Sequence, residues 1–256
     1  MKSKWFNLWI VVTLGMLLAG CRPIVATQGA APQAQSTPTA AAAPATAPDA
    51  ASEPGVGKVI ATIPVGNLAG ARAAIGDGTV WIHNVEDGTV SRIDASTNEV
   101  VATLTIGKKG GTYGSPWAVA LAAGSLWVTD NAGHAIVRLD PATNAVLATI
   151  PLEVEPFSMA ANDEAVWVSA MDADQVIRID PKTNAVVATI EVPSAANFAF
   201  NEDSVWVTNL RIGTVTQIDP QTNSVTATID TPGPGTEGER PEFIVLGEEG
   251  LYVLDK

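Results

Sequence analysis

Residues 126–150 read LWVTDNAGHAIVRLDPATNAVLATI, and residues 166–190 read VWVSAMDADQVIRIDPKTNAVVATI. Two further stretches carry the same pattern, TVWIHNVEDGTVSRIDASTNEVVATL (79–104) and SVWVTNLRIGTVTQIDPQTNSVTATI (204–229), and a fifth begins GLYVLDK at residue 250. Trp81, Trp127, Trp167 and Trp206 lie 46, 40 and 39 residues apart, and Tyr252 follows 46 later. From each Trp to its Asp (Asp94, Asp140, Asp180, Asp219) the interval is thirteen every time. A fixed interval inside a variable one marks a rigid portion and an adjustable portion of one repeated unit.

Each unit contains four short runs separated by turn residues. In the second these are AVALA (118–122), SLWVTD (125–130), AIVRLD (135–140) and AVLATI (145–150). Runs of this length, bounded by Gly, Asn and Asp, predict strands. Four strands per forty-odd residues is the arithmetic of a propeller blade, which cannot bury both faces alone and so must stack on neighbours. The fold class expected is therefore all-β, a β-propeller of four complete four-stranded blades plus a partial one. Asp-Pro-x-Thr-Asn (140–144, 180–184, 219–223) is turn chemistry: Asp accepts N–H groups two residues on, Pro presets φ, and Asn tolerates the left-handed region. Asp94–Asn98 is the same turn without its proline. The four Trp are expected to pack blade on blade. Arg92, Arg138 and Arg178, replaced by Gln217, recur two residues before the turn Asp and are expected to hydrogen-bond structurally.

The unit resembles the YVTN-type repeat, aromatic-Val-Thr-Asn, then Val-x-x-Ile-Asp, then Thr-Asn-x-Val-x-x-Thr-Ile. The resemblance covers 53–256 and implies a bacterial propeller of the YncE-like group, whose members run to about seven blades and in some cases have binding roles, including DNA binding. GluProGlyValGlyLysValIleAlaThrIle (53–63) aligns on Asp140–Ile150 and predicts an outermost strand, and PEFIVLGEEGLYVLDK (241–256) predicts the first two strands of a blade. Two architectures satisfy this count, a truncated or open propeller and a closed five-bladed ring. The open one is preferred because Lys256 falls where the repeat would continue. An open array predicts self-association through an unpaired blade edge.

Before the repeats lie two segments of another kind. Lys2 and Lys4 precede the apolar run WFNLWIVVTLGMLL (5–18), which has the length of a signal-peptide h-region. Leu18-Ala19-Gly20-Cys21 follows and matches the bacterial lipobox. That resemblance implies cleavage before Cys21 and lipid on Cys21, giving an extracytoplasmic chain anchored to the cell membrane or outer membrane. Residues 21–52, rich in Ala, Pro and Thr, cannot bury enough apolar surface to offset their ordering entropy and read as a tether. The expected organisation is thus 1–20 signal peptide, 21–52 lipidated Cys and tether, and 53–256 propeller.

The net charge of −13, which becomes −15 once Lys2 and Lys4 are removed, disfavours a nucleic-acid partner. Binding specificity is expected on the loops between second and third strands and on the linkers between blades. The linkers are longest at TIGKKGGTYGSPW (105–117) and DTPGPGTEGERPEF (230–243). The candidate ligand-binding residues there are Lys108, Lys109, Tyr113, Asp130, His134, Asp172, Arg211 and Arg240. A more distant resemblance, to streptogramin (virginiamycin B) lyase propellers, implies a magnesium ion, paired histidines and a glutamate base. His83 and His134 occupy non-equivalent repeat positions, with Trp81 and Ala132 where that glutamate would stand, so no catalytic set is assigned. GKKGGTYGS (107–115) opens no helix as a phosphate loop must. The acid pairs Asp172/Asp174 and Glu153/Glu155 lack a ring of calcium-ligand spacing. The expected function is a non-catalytic binding scaffold for a protein, an envelope glycan or a small ligand, without metal or cofactor.

Overall fold

The invariant thirteen-residue interval is a hairpin. In the computed structural model, which describes residues 59–67, 69–107, 114–231, 240–247 and 250–255 (backbone alone at 69–72 and 255), Trp127 lies directly across the ladder from Arg138. Trp81 opposes Arg92, Trp167 opposes Arg178 and Trp206 opposes Gln217 in the same register. A four-residue loop closes each hairpin, so Trp, Arg and the turn Asp two residues on keep one geometry in every copy. The segments expected to be signal peptide and tether, and Cys21 with them, lie outside the described residues.

Each hairpin is flanked by an inner and an outer strand, and the described residues form five antiparallel sheets in sequence order. The first holds β1 (Ala69–Gly76), β2 (Thr79–Asn84), β3 (Thr89–Asp94) and β4 (Glu99–Thr105). The second holds β5 (Val119–Ala122), β6 (Ser125–Asp130), β7 (Ala135–Leu139) and β8 (Val146–Pro151). The third holds β9 (Ser158–Ala161), β10 (Val166–Ala170), β11 (Gln175–Asp180) and β12 (Ala185–Glu191). The fourth holds β13 (Ala195–Phe200), β14 (Val205–Asn209), β15 (Thr214–Asp219) and β16 (Ser224–Asp230). The fifth pairs β17 (Pro241–Leu246) with β18 (Leu251–Asp255). This is the all-β blade array the repeat arithmetic predicts. One expectation fails: the described part of the predicted N-terminal strand, 59–63, has no strand structure, and Val59 and Ile60 are exposed. Its sequence matches an outer strand, but no described strand pairs with it.

The sheets stack face to face. Trp81, Val90 and Ile106 of the first form one core with Leu126, Val128 and Leu139 of the second. Trp127 and Ile136 on the second sheet's opposite face meet Val166, Val168 and Ile179 of the third. Trp167 and Val176 meet Val205, Val207 and Ile218 of the fourth. Period-two alternation makes this possible, because residues on either side of each Trp point to the other face. The Trp face therefore always looks toward the following sheet.

At the Trp face each Arg crosses to that next sheet. The Arg138 guanidinium lies 4.9 Å from the Trp127 ring centroid, and its Nη1 donates to Pro181 O at 2.6 Å and Asn184 Oδ1 at 2.9 Å. Arg178 repeats this over Trp167 with Pro220 O and Asn223 Oδ1. Arg92 repeats it over Trp81 with Ala142 O and Asn144 Oδ1, both at 3.3 Å. Opposite each Arg the outer strand carries a bulge, with Val101, Leu147 and Val187 as the extra residues, and the fourth sheet repeats it beside Gln217.

The accepting Asn is placed by its own turn. Asn98, Asn144, Asn184 and Asn223 have φ between 55° and 64°, the left-handed region Asn tolerates. The turn Asp accepts the N–H two residues on, Ala142 N to Asp140 Oδ1 at 2.8 Å being typical. These N–H bonds hold the Asp140, Asp180 and Asp219 carboxyls below their ordinary pKa. At Asp94 the Ser96 hydroxyl is the leading cause.

Two outcomes follow. Trp127→Ala removes a fully buried ring between two sheets and is expected to cost about 3–5 kcal/mol in urea unfolding. Because the folded pKa of the turn aspartates is depressed, their stabilisation is complete above the ordinary value of about 3.9 and is lost as pH falls through the folded value. Asp140→Asn should therefore lower Tm at pH 7, with the gap to the parent closing below about pH 4 in thermal scans.

Candidate ligand-binding face

The repeated turns occupy one end of the sheets. At the other end the linkers meet the loops of the Trp hairpins, and the two are bonded together. Ile106 N–H donates to Gly88 O, Leu152 to His134 O, Val192 to Asp174 O and Thr231 to Gly213 O, at 2.7–3.0 Å. Gly88, His134, Asp174 and Gly213 are one repeat position, the last of each four-residue loop, and all have positive φ. His134 thus stands where two copies use glycine. Its backbone is fixed by the turn and its side chain is exposed. His83 occupies a different position, that of Thr129, Ser169 and Thr208 in the other sheets. Those three hydroxyls accept inner-strand N–H groups at 3.0 Å, whereas His83 is a buried imidazole on β2.

Side chains at this end also tie the second sheet to the third, the third to the fourth and the fourth to the fifth. Asn131 Nδ2 donates to Pro156 O, Ser169 Oγ to Ala196 O and Asn197 Nδ2 to Glu242 O. Beside these ties Trp117 and Phe157 sit with ring centroids 5.9 Å apart, packed with Met171, Ala196 and Leu210. This aromatic cluster joins linkers and loops of three sheets. It was not anticipated from the sequence, because Trp117 and Phe157 lie outside the aligned 25-residue unit and their equivalents, Ala196 and Glu242, are not aromatic.

Of the eight predicted residues, Lys108, Lys109 and Tyr113 lie outside the described residues. Asp172 and Arg211 are brought together in an ion pair of 2.5 Å across the third and fourth sheets. A relay positions it: Asp174 Oδ1 accepts Ser194 N–H, and Ser194 Oγ in turn accepts Arg211 N–H. Arg240 is exposed just before β17. Asp130 is turned inward, where its Oδ1 accepts Gly133 N–H at 3.0 Å and Ser115 Oγ at 3.3 Å. Gly107 and Gly133 leave room for it, since a Cβ at either would collide with Asp130 Oδ2. Its position at the end of β6 is as expected, but its work is to anchor loop and linker. Among the described residues no group of three or more His, Cys, Asp or Glu is arranged to hold a metal.

Asp130→Ala leaves the buried Ser115 hydroxyl without its acceptor and is expected to destabilise by about 1–3 kcal/mol. Arg211→Ala breaks a half-exposed pair, 51% and 45% for the two side chains, and should cost under about 1 kcal/mol. Parallel urea titrations measure both, and they identify Arg211 as the residue to alter when binding is assayed.

No protein-family model and no curated protein matches the chain. Solved structures do. A structure of hydrazine synthase from Kuenenia stuttgartiensis is similar at TM-score 0.62 and 15% identity, over 78% of this chain and 59% of that one. A streptogramin B lyase is similar at TM-score 0.57 and 19% identity, over 74% and 61%. A structure of U3-55K is similar at TM-score 0.55 and 13% identity, over 69% and 56%. The chain spans about three fifths of the first two proteins' length. Likeness at this identity is a likeness of fold, and the fold it bears out is the β-propeller.

Proposed function

We propose that the chain is a lipid-anchored, extracytoplasmic propeller of the YVTN-repeat, YncE-like kind that binds a protein, envelope glycan or small ligand through the end of the sheets carrying the linkers. The observation that carries this reading is the asymmetry between the two ends. One end repeats the same Asp, Arg and Asn contacts sheet after sheet and has its chemistry committed to the frame. The other holds loops of equal length and fixed backbone whose exposed side chains differ in every copy: Glu86, His134, Asp172, Arg211. A rigid frame with variable side chains at one end is the arrangement of a binding surface. The lipobox at Leu18–Cys21 supports the anchor, and the acidic charge argues against a nucleic-acid partner.

A second reading, a streptogramin lyase-like enzyme, has the fold likeness in its favour. Its chemistry needs a paired base and metal. His83 is buried at a position other sheets fill with a structural hydroxyl, and His134 is exposed on another sheet's loop.

The anchor is tested by mass spectrometry of membrane fractions. Cys21 is expected to carry lipid, and Cys21→Ser to release the chain from the membrane; an unmodified Cys21 overturns the anchor. Binding to isolated envelope fractions is expected to fall at least about fivefold, or about 1 kcal/mol, with Arg211→Glu and to be unchanged with Lys182→Glu at the opposite end. Equal loss with both refutes the assignment of the face. Ring opening of a streptogramin B by the purified chain would favour the lyase instead.

A further inference from the structure

The junction between the third and fourth sheets differs from the two before it in what its arginine leaves unused. Arg138 donates its Nε to Ser125 Oγ at 2.8 Å, and Arg92 keeps its Nε sealed from solvent. In the third sheet Ala165 stands where Ser125 stands in the second. Arg178 therefore bonds through Nη1 alone, to Pro220 O and Asn223 Oδ1. Its Nε and Nη2 meet no acceptor among the described residues, and neither is sealed.

Arg178 lines a groove of about 370 Å³ between the two sheets, together with Glu164, Asp180, Lys182, Val187 and Asn223. Two of these side chains are peculiar to this junction. Gly78 and Gly124 hold the repeat position of Glu164, and Ser96 and Ala142 hold that of Lys182. The groove thus presents two cations and two carboxylates, and no two of these four described residues form an ion pair. Asp180 is partly committed, since its Oδ1 accepts Lys182 N–H, whereas Glu164 and Lys182 are exposed.

We propose that this groove binds a free α-amino acid. The Nε–Nη2 edge of Arg178 is the planar fork that matches a carboxylate, and Lys182 adds a second cation. Glu164 receives the ammonium, and Val187, 51% exposed, lies beside a short apolar side chain. A ligand bearing both signs is selected because a lone anion would meet Glu164 and Asp180, and a lone cation would meet Arg178 and Lys182. The site is at the turn end of the sheets, and the proposal does not rest on what the linker end binds.

The test is a ligand-observed NMR titration of the purified full chain with L-leucine, acetate and butylamine. Leucine is expected to saturate with a Kd of about 1 mM, and the other two to bind at least about tenfold more weakly. Lys182→Ala and Glu164→Gln should each weaken leucine by about fivefold. Ala165→Ser places a hydroxyl where Ser125 supplies one to Arg138. By occupying Arg178 Nε it should weaken leucine by about threefold without lowering the urea midpoint. All three variants should bind envelope fractions as the parent does, so failure of this site and failure of the linker-end reading are read separately. Acetate binding as tightly as leucine would reduce the groove to an anion site and overturn the proposal. So would leucine that never saturates, or leucine binding unchanged by all three substitutions.

Discussion

Neighbouring sheets are joined by an arginine that lies on a tryptophan of its own sheet and bonds to the turn of the next. Three separate requirements converge on that one side chain. The hairpin register puts Arg directly across from Trp, so the guanidinium can lie against the indole. The outer strand bulges at Leu147, beside the point where the Arg138 side chain leaves the sheet. The next turn presents a carbonyl and the Asn Oδ1 together, because Asn sits in the left-handed region. An arginine brought partly out of water needs oxygens for its donors and a partner for its charge; Arg138 has the Trp127 ring face, Ser125 Oγ and two oxygens of the next turn, whereas Arg92 keeps its Nε buried without an acceptor. Turn, hairpin and interface are therefore one device, and stability passes from each sheet to the next as in other repeat arrays.

That device divides the molecule functionally. The recurrent Asp, Arg and Asn at its end of the sheets serve the frame, while the third turn position, Ser96, Ala142, Lys182 or Gln221, is exposed and free to vary. At the opposite end the frame fixes backbones and leaves most exposed side chains unconstrained. The Asp174–Ser194–Arg211 relay shows how far this goes: the loop backbones of the third and fourth sheets are locked, yet the charges they display, Asp172 and Arg211, belong to no repeated pattern. The junction also changes at the fourth sheet. Gln217 replaces Arg there, and the fourth-to-fifth contact is carried by Trp206, Val215 and Ile244 with their neighbours.

Most of the fold was legible because the repeat tests itself. Four aligned copies fix strand limits and turn type, and the predicted runs 118–122, 125–130, 135–140 and 145–150 agree with β5 to β8 within a residue or so. The structural roles of Trp127, Arg138 and Asp140 could be read from recurrence, but the acceptor of Arg138 could not, since it lies 46 residues on. The candidate face was less legible for the opposite reason. Trp117 and Phe157 form a contact that only two copies support, and a single sequence gives no sign that Asp130 turns inward until the glycines at 107 and 133 are seen against it. His134 looked informative because it is unique; its position is set by a turn that glycine serves equally well elsewhere.

The central claim, that Arg couples each of the first three sheets to the turn of the next, is tested most directly by a double-mutant cycle on Arg138→Ala and Asn184→Gly, glycine retaining the left-handed φ while removing the acceptor. Urea unfolding of the four proteins should give a coupling energy of about 1–3 kcal/mol, as expected for a charged hydrogen bond between residues in contact. Effects that add to within about 0.3 kcal/mol would mean the two residues act independently, and would contradict the account.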